Sequence, residues 1–360
     1  MEQRIIISRN LQQELAMAIS ECEHDRIFVL TDDTTINACW PAIEDFRCLK
    51  NASLITIEAT DAHKNLQALT HVWEELQRGG ATRHSCLINL GGGMVTDLGG
   101  FAASTFKRGI DFINIPTTLL AMVDASVGGK TGINFGGLKN EIGVFGDSRF
   151  VILDTHFLQT LDIDNIRSGY AEMLKHGLIS NEVMWAELVN YSLDQPDLQQ
   201  LQQMVADSVK VKERIVTADP RELGLRKALN LGHTVGHAFE SLALKRYTAK
   251  AEKHAPDNQP LLHGYAVAYG LICELYLSVI KTGFPTDRMR QTVSFIRRHY
   301  GQMAITCDDY PHLIELMTHD KKNTAGTINF TLLGGFGDIR INQTATEAEI
   351  CEALDFYREG

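Results

Sequence analysis

Short apolar runs alternate with amphipathic helical segments over residues 1–160. The runs are IIIS, RIFVL, LITIE, SCLINL and FINIP, and a helix is predicted over Leu66–Leu76. Short apolar runs without polar alternation indicate strands that are covered on both faces, and strands that are separated by helices usually pair in parallel. We therefore predict an α/β domain with a doubly wound, mostly parallel sheet for residues 1–160, a fold that is common among nucleotide-binding domains.

Beyond residue 160 the pattern becomes helical. The segments NIRSGYAEMLKHGLI, LQQLQQMVADSVKVKERIV, NLGHTVGHAFESLAL and HGYAVAYGLICELYLSVI have apolar residues at a helical period, and the next strand-like run is TINFTLL. A chain of 360 residues also exceeds the usual size of a single core. We predict a mostly helical domain at residues 161–360, with a polar surface loop at Lys245–Pro260.

Charge and cysteine content exclude several classes of protein. The net charge is −11, and no stretch is dense in Lys or Arg, which argues against a nucleic-acid partner. The seven cysteines are scattered and form no C-x-x-C pair, so we expect neither a disulfide framework nor a thiolate zinc site. No signal-peptide core appears at the N-terminus, and no apolar run reaches the roughly 18 residues that a bilayer requires. We expect a cytoplasmic protein without a membrane partner.

Three consecutive glycines follow the apolar run in LINLGGGMVTDLGGFAAS, and a helical segment comes next. Without side chains, Gly91, Gly92 and Gly93 allow backbone N–H groups to approach phosphate oxygens at the positive end of a helix. The segment does not match G-x-G-x-x-G, so a strand-to-helix turn without a ligand is the alternative. Asp32, at the end of an earlier run, is a candidate acceptor for a ribose hydroxyl, or else a surface carboxylate.

Glu172, His233, His237 and His263 form a candidate metal site in the helical half. One carboxylate and two imidazoles, with a fourth position open, are typical of catalytic zinc. His233 and His237 are four residues apart and share a helix face, but the residues between them lack the glutamate of a zinc protease. Each histidine taken alone is equally compatible with a hydrogen-bonded core residue.

Lys and Arg also occur in glycine-rich or apolar sequence, in STFKRGI, VGGKTGINFGGLKNEIG, AEMLKHG, VKVKERI and GLRKALN. A substrate with both a phosphate and a carboxylate would require several such cations to converge. A solvated surface role is the alternative for any single one of them.

From about Thr31 to Leu333 the chain resembles the dehydroquinate synthases of the sugar phosphate cyclase family. The resemblance lies in the order of GGGMVTDLGGFAAS, PTTLLAMVDASVGGKTGIN, LKN, AEMLKHG, GLR, LNLGHTVGHAFE, LHG and HDKKN. It implies a homodimeric, NAD- and divalent-metal-dependent lyase of the shikimate pathway of aromatic amino acid biosynthesis. Such an enzyme converts the anionic sugar acid 3-deoxy-D-arabino-heptulosonate 7-phosphate to 3-dehydroquinate and phosphate.

The resemblance also implies roles for individual residues. The metal, zinc or cobalt, would be held by Glu172, His233 and His263. The residues implied for NAD are Asp32, Asp61, Lys64, Gly92, Gly93, Asp97, Thr117, Thr118, Leu120, Asp124, Lys130, Lys139, Phe157 and Thr160. The residues implied for substrate binding and catalysis are Arg108, Lys130, Lys139, Asn140, Lys175, Lys212, Arg226, Asn230, His237 and one of Lys321 and Lys322.

Three other functions remain open at this point. Another sugar phosphate cyclase would act on a different sugar phosphate, although Lys139-Asn140, Arg226, Asn230 and His237 favour a substrate with a carboxylate. A polyol dehydrogenase of the glycerol dehydrogenase type would share the two-domain plan. A non-catalytic NAD- or metal-binding module would leave the many ionisable groups in apolar sequence without a role, which is costly.

Overall fold

The computed structural model of the chain describes residues 3–22, 24–136, 138–251, 260–318 and 327–360. Its contacts group the chain into two compact units. The first contains Met1–Asp162 and Asp197–Lys210, and the second contains Ile163–Pro196 and Val211–Gly360. That residues 1–160 and 161–360 are separate domains stays a prediction.

A six-stranded sheet of order β1-β8-β5-β4-β2-β3 forms the centre of the first unit. Every paired strand in it is parallel. The strands are β1 (Arg4–Ile7), β2 (Ile27–Asp32), β3 (Ser53–Ile57), β4 (Cys86–Gly91), β5 (Asp111–Pro116) and β8 (Phe150–Leu153). The helices of this part of the chain are α1 (Leu11–Glu21), α2 (Thr35–Ala38), α3 (Leu66–Arg78) and α4 (Gly93–Thr105). The predicted α/β fold is confirmed.

The apolar runs coincide with the central strands because these strands are covered on both faces. All six residues of β4 are buried, and so are five of the six in β2. Leu30 and Leu87 of the sheet pack in one cluster with Val72 of α3 and Leu98 of α4. Removing such side chains from water is the main favourable term in folding, so most positions of these strands are filled with apolar residues.

An antiparallel hairpin lies outside this sheet and was not predicted. It consists of β6 (Lys130–Phe135) and β7 (Leu138–Phe145). A methyl group added at Gly132 would lie 2.5 Å from the carbonyl oxygen of Ile142, so glycine is required where the two strands meet. Glycine weakens the sequence signal of a strand, which is why the hairpin was missed.

Helices dominate the second unit. They are α5 (Ile163–Leu178), α6 (Glu182–Asn190), α8 (His233–Ala251), α9 (His263–Thr282), α10 (Thr286–Tyr300), α11 (Tyr310–Thr318) and α12 (Glu347–Glu359). Helix α7 (Leu198–Ala218) begins in the first unit and ends in the second, and β9 (Phe330–Gly335) pairs with β10 (Asp338–Gln343). The predicted helical character is confirmed.

The loop predicted at Lys245–Pro260 is wrong for its first residues. Helix α8 continues to Ala251, since alanine, lysine and arginine are good helix formers even in a polar stretch. Residues 252–259 lie outside the described part of the chain.

Among the described helices, α9 alone is long and apolar enough to cross a membrane. Of its most apolar 18-residue window, 72% is buried inside the protein. Burial of this extent is typical of a core helix, so packing accounts for the apolar composition of α9.

Glycines allow three helices of the second unit to approach one another at backbone distance. A methyl group added at Gly264 of α9 would lie 1.8 Å from the carbonyl oxygen of Ser168 in α5. A methyl group added at Gly270, also in α9, would lie 2.0 Å from the carbonyl oxygen of Gly232, directly before α8. Real Cβ atoms do not come this close to a backbone oxygen. The crossings of α9 with both neighbours therefore require glycine.

We expect Gly270→Ala to destabilise the protein by ~1–3 kcal/mol, because the added methyl group forces α8 and α9 apart. The free energy of unfolding in urea measures this effect. Gly335→Ala is the matched control, since nothing lies within 4 Å of a methyl group added there. Equal stability of the two variants would contradict the close crossing.

Candidate functional site

Glu172, His233 and His263 bring three ligand atoms together in the second unit. Glu172 lies on α5, His233 is the first residue of α8, and His263 is the first residue of α9. One donor atom of each residue lies within 4.8 Å of the other two. The Nε2 atoms of His233 and His263 are 3.3 and 3.7 Å from Oε1 of Glu172. Residues that are far apart in sequence thus meet around one point.

The other ring nitrogens fix the orientation of both imidazoles. Nδ1 of His233 lies 3.1 Å from the carbonyl oxygen of Leu231, and Nδ1 of His263 lies 3.5 Å from Oε2 of Glu240. A carbonyl oxygen can only accept, so Nδ1 of His233 carries the proton and Nε2 presents its lone pair. Outer partners of this kind are typical of histidines that ligate a metal.

The charges around Glu172 keep its carboxyl group ionised. Burial opposes ionisation, but Lys175 and His233 outweigh it and hold the pKa of Glu172 well below its usual value. Lys175 is itself buried, and its Nζ contacts Oε2 of Glu172. The carboxylate is therefore a buried anion beside two imidazoles.

The two imidazoles differ in their protonation. Burial lowers the pKa of His233 to about 4, so its ring is neutral. Burial also acts to lower the pKa of His263, but interactions with Glu172 and Glu240 outweigh this effect and raise the pKa to about 10. At neutral pH, the lone pair of His233 Nε2 consequently faces an anionic oxygen.

These residues fit a divalent metal ion. Glu172 is completely buried and Lys175 contacts its Oε2, but Oε1 has no hydrogen-bond partner among the described residues and lies 3.3 Å from Nε2 of His233. A buried acceptor without a hydrogen bond is costly, and so are two acceptors that face each other, unless a cation lies between them. One carboxylate oxygen and two imidazole nitrogens match the donor set of a catalytic zinc site with an open position.

His237 lies one helical turn after His233. The centroids of these two rings are 5.4 Å apart, and the ring of His237 is 6.1 Å from that of His263. His237, Glu240 and His263 also have donor atoms within 4.8 Å of one another. The structure thus places the predicted proton-transfer residue at the edge of the candidate metal site.

Three further substrate residues predicted for the second unit are buried or hydrogen-bonded. Lys212 and Arg226 are both buried. Arg226 donates from Nη1 to the carbonyl oxygen of Pro220 at 2.7 Å, and Asn230 donates from Nδ2 to Oε1 of Glu222 at 2.8 Å. Arg226 and Asn230 belong to the 3₁₀ helix Leu225–Asn230, which ends shortly before α8. Lys321 and Lys322 lie outside the described residues.

In the first unit, most residues predicted to bind NAD follow the carboxyl ends of parallel strands. The order of the sheet reverses between β2 and β4, because β3 lies on one side of β2 and β4 on the other. Nucleotides bind at such a reversal in many α/β proteins. Asp32 ends β2, and Gly92 and Gly93 follow β4. Thr117 and Thr118 follow β5.

The glycine turn after β4 leads directly into α4. Gly92 precedes α4 without a side-chain cap, and Gly93 is its first residue. A methyl group added at Gly92 would lie 3.1 Å from Cγ2 of Thr118, and the amide of Thr117 donates to the carbonyl oxygen of Gly91 at 3.0 Å. The N-terminus of α4 therefore offers backbone N–H groups and a positive dipole end to a phosphate.

A network of charges joins several other predicted residues of this unit. The buried Lys64 lies 2.9 Å from Oδ2 of Asp97 and 3.7 Å from Oδ1 of Asp61, and Lys64 also donates to Oδ1 of Asn140. Lys139 lies 3.1 Å from Oδ2 of Asp61. Burial raises the pKa of Asp97, although Lys64 opposes the shift. Burial acts to raise the pKa of Asp61 too, but Lys64 and Lys139 lower it.

Other predicted residues have local structural contacts. Oδ1 of Asp32 accepts from the amides of Thr34 and Thr35 at 2.9 and 2.7 Å and so caps α2. Thr160 donates from its hydroxyl to the carbonyl oxygen of the buried Phe157 at 2.7 Å. These contacts describe structural roles, and the nucleotide roles of the three predicted residues stay predictions.

The remaining predicted residues of the first unit lie on turns and strand ends. Leu120 directly precedes a π-helical turn that contains Asp124, and Lys130 begins β6. Arg108 has a positive φ of 70°, which is unfavourable for a residue with a side chain and is common at functional sites.

Sequence reasoning missed the residues that orient the metal ligands. Glu240 is seven residues after His233 and therefore on the same face of α8 as that ligand. Ser168 accepts from the amide of Gly264 at 3.1 Å and so caps α9, the helix of His263. The spacing of Glu240 was a usable signal. The contact of Ser168 was not, because its partner lies 96 residues away.

Solved structures define the class of fold. One similar structure is 2-epi-5-epi-valiolone synthase from Streptomyces hygroscopicus, solved with NAD+ and Zn2+ bound. It aligns with a TM-score of 0.82 and 24% identity, over 100% of this chain and 97% of that one. Another is 2-deoxy-scyllo-inosose synthase complexed with carbaglucose-6-phosphate, NAD+ and Co2+. It aligns with a TM-score of 0.81 and 22% identity, over 99% of this chain and 96% of that one. The chain therefore has the fold of these sugar phosphate cyclases.

Sequence comparison gives the particular family. The family described as 3-dehydroquinate synthase N-terminal matches residues 54–168, and 3-dehydroquinate synthase C-terminal matches residues 169–323. The 3-dehydroquinate synthase of Parabacteroides distasonis is 51% identical over 358 residues, which cover 99% of this chain and 98% of that relative. The chain belongs to the 3-dehydroquinate synthase family, as the resemblance of its motifs predicted.

We expect His263→Ala to lose more than about 100-fold in affinity for zinc, because removal of a direct ligand exceeds the 10–100-fold effect of changing an outer partner. Competition with a chelator measures the affinity. His312→Ala is the control, since this partly exposed histidine contacts only Glu315 and Lys245 among the described residues. Unchanged zinc affinity in His263→Ala would remove the basis for the site.

Proposed function

We propose that the protein is a 3-dehydroquinate synthase. It converts 3-deoxy-D-arabino-heptulosonate 7-phosphate to 3-dehydroquinate and phosphate through transient oxidation, phosphate elimination, reduction and intramolecular aldol closure. The observation that carries this proposal is 51% identity with a 3-dehydroquinate synthase over almost the whole of both chains. The cluster of Glu172, His233 and His263 supports it, because the residues fit the metal that the reaction employs.

NAD and one zinc or cobalt ion are the proposed cofactors. NAD binds at the carboxyl ends of β2, β4 and β5, with its diphosphate at Gly92 and Gly93 and its other contacts among the residues named above. The metal binds at Glu172, His233 and His263. When both are bound, they supply a transient hydride acceptor and polarisation of a substrate oxygen.

The protein's own cations bind the two anionic groups of the substrate. In the second unit, Lys175, Lys212 and Arg226 are buried, which strengthens their attraction for a phosphate or carboxylate. In the first unit, Arg108, Lys130 and Lys139 serve the same purpose. Arginine also gives two parallel hydrogen bonds to such a group and therefore orients it.

Polar side chains position the substrate and move protons. Asn140 and Asn230 offer amide groups to its hydroxyls. His237 holds or transfers a proton at a ring nitrogen, since it lies one turn from His233 and its ring is within 6.1 Å of that of His263. We assign one lysine of the Lys321–Lys322 pair to the substrate as well.

We also propose that the protein acts in the cytoplasm as a homodimer, with no nucleic-acid or membrane partner. The net charge of −11 supports the exclusion of nucleic acids, and the seven cysteines without a C-x-x-C pair support a reducing compartment. The homodimer rests on analogy with the family. In the cytoplasm, the protein would serve the shikimate pathway of aromatic amino acid biosynthesis.

The alternatives have weaker support. The solved 2-deoxy-scyllo-inosose and 2-epi-5-epi-valiolone synthases are 20–24% identical to this chain, against 51% for the 3-dehydroquinate synthase. An iron-containing alcohol dehydrogenase, nearer to the polyol dehydrogenase alternative, has a TM-score of 0.62 and 13% identity. A non-catalytic module would not explain the burial of Lys212 and Arg226, which is costly for charged side chains.

We expect the protein, supplied with NAD and zinc, to release inorganic phosphate from 3-deoxy-D-arabino-heptulosonate 7-phosphate without accumulation of NADH. The hydride that is removed early in the cycle is returned later, so the cofactor is regenerated in each turnover. A phosphate assay and the absorbance of NADH measure the two quantities. Steady NADH production would indicate a dehydrogenase, and turnover of only a neutral sugar phosphate would indicate a sister cyclase.

A further inference from the structure

The helix that carries His233 begins in an unusual way. An α-helix leaves its first backbone N–H groups without partners inside the helix, and a side chain near its own start normally accepts from them. At the start of α8 the acceptor comes from another helix. The amide of Gly232 donates to Oε2 of Glu274 at 2.6 Å, and the amide of Val235 donates to Oε1 at 3.1 Å.

Glu274 lies on α9, eleven residues after His263. Its exposure is 0%, and its neighbours Cys273 and Leu275 are equally buried. Burying a carboxylate in apolar surroundings is costly unless it is hydrogen-bonded. The two amides and the positive end of α8 offset this cost. A buried acid therefore holds the start of α8 against α9.

The backbone directly before α8 is closely packed against α9. Gly232 has a φ of +80°, which favours glycine, and its carbonyl oxygen contacts α9 so closely that Gly270 cannot carry a side chain. His233 follows immediately, and its Nε2 lies 3.3 Å from Oε1 of Glu172. A change in the first turn of α8 would move this nitrogen directly.

We propose that Glu274 is a positioning residue of the metal site, which rests on the metal role proposed above for His233. Both oxygens of Glu274 are engaged by backbone amides, so it acts through His233 and not as a ligand. Helix α9 thus carries one ligand, His263, and the carboxylate that fixes the helix of another. The distance between the two ligands is set by one rigid element.

The substitution Glu274→Gln tests this proposal. Glutamine has nearly the shape of glutamate but presents an N–H group to one of the two amides, so one hydrogen bond is replaced by a repulsion. We expect affinity for Co2+ to fall by about 10–100-fold, as for other outer partners of metal ligands. We also expect the visible absorption of the bound cobalt to change in position or intensity, because the geometry of its ligands changes.

Ser278→Ala is the matched control. Ser278 is also on α9 and completely buried, and its hydroxyl oxygen accepts from the amide of Leu333 at 3.1 Å. The same hydroxyl donates to the backbone carbonyl oxygen of Glu274 at 2.7 Å, so its loss removes two buried hydrogen bonds but leaves the side chain of Glu274 and the two amides that it accepts from unchanged. We expect lower stability in urea but unchanged cobalt affinity and spectrum. Glu274→Asp is the second variant, because it keeps the negative charge but has a shorter side chain. We expect it to weaken cobalt binding, and it tests the proposal if Glu274→Gln does not fold.

The outcomes are separable. Suppose that the unsubstituted protein and Ser278→Ala bind cobalt, and that each Glu274 variant that folds binds it with the same affinity and the same spectrum. The positioning role is then wrong, and the proposed function stands. If the unsubstituted protein itself binds no Co2+ or Zn2+, the metal site fails, and the positioning role fails with it. Weaker binding and an altered spectrum only in the Glu274 variants support the proposal.

Discussion

The ionised carboxylate of Glu172 is the constraint on which the second unit depends. A charge at complete burial is costly, and it persists only if opposite charge or a cation compensates it. The compensating groups are Lys175 from the same helix and the imidazole of His263 from the start of α9, whereas the neutral imidazole of His233 at the start of α8 faces the carboxylate with a lone pair. Since imidazoles are short, the three helices must come close together. The glycines at the crossings of α9 are a consequence of this requirement.

The first unit meets a different requirement, which is access to backbone amides at the edge of a sheet. Six parallel strands send all of their carboxyl ends to the same edge, so turns that are distant in sequence become neighbours. A side chain at Gly92 would meet Thr118 within 3.1 Å, and a phosphate could not then approach the amides as closely. The proposed metal site and the proposed nucleotide site are therefore built on different kinds of secondary structure within one chain.

Much of this arrangement was predictable from sequence. Apolar runs predicted five of the six strands of the parallel sheet and missed β8, and helical periodicity predicted α5, α7, α8 and α9, because residues that are buried on both faces of a strand or along one face of a helix are apolar. The hairpin of β6 and β7 was not predictable in this way, since close backbone approach there requires glycines. Nor was the grouping of Asp197–Lys210 with the first unit, because tertiary contacts decide it and periodicity does not. The candidate ligands were found through their motifs, whereas Ser168 and Glu274 act on backbone amides that no motif records.

Two buried glutamates show why hydrogen bonding separates a ligand from a support. Glu172 and Glu274 both have 0% exposure, and both lie on helices that form the candidate metal site. Each oxygen of Glu274 accepts from a backbone amide at the start of α8, so the residue stabilises the backbone there. Oε2 of Glu172 contacts Lys175, whereas Oε1 has no hydrogen-bond partner among the residues that the structure describes and faces Nε2 of His233, so Oε1 remains available to a cation. Burial alone does not distinguish the two acids, and residue type does not either. The difference arises from the groups that each carboxylate faces: Glu172 faces the histidines that begin α8 and α9, whereas Glu274 faces backbone amides at the start of α8.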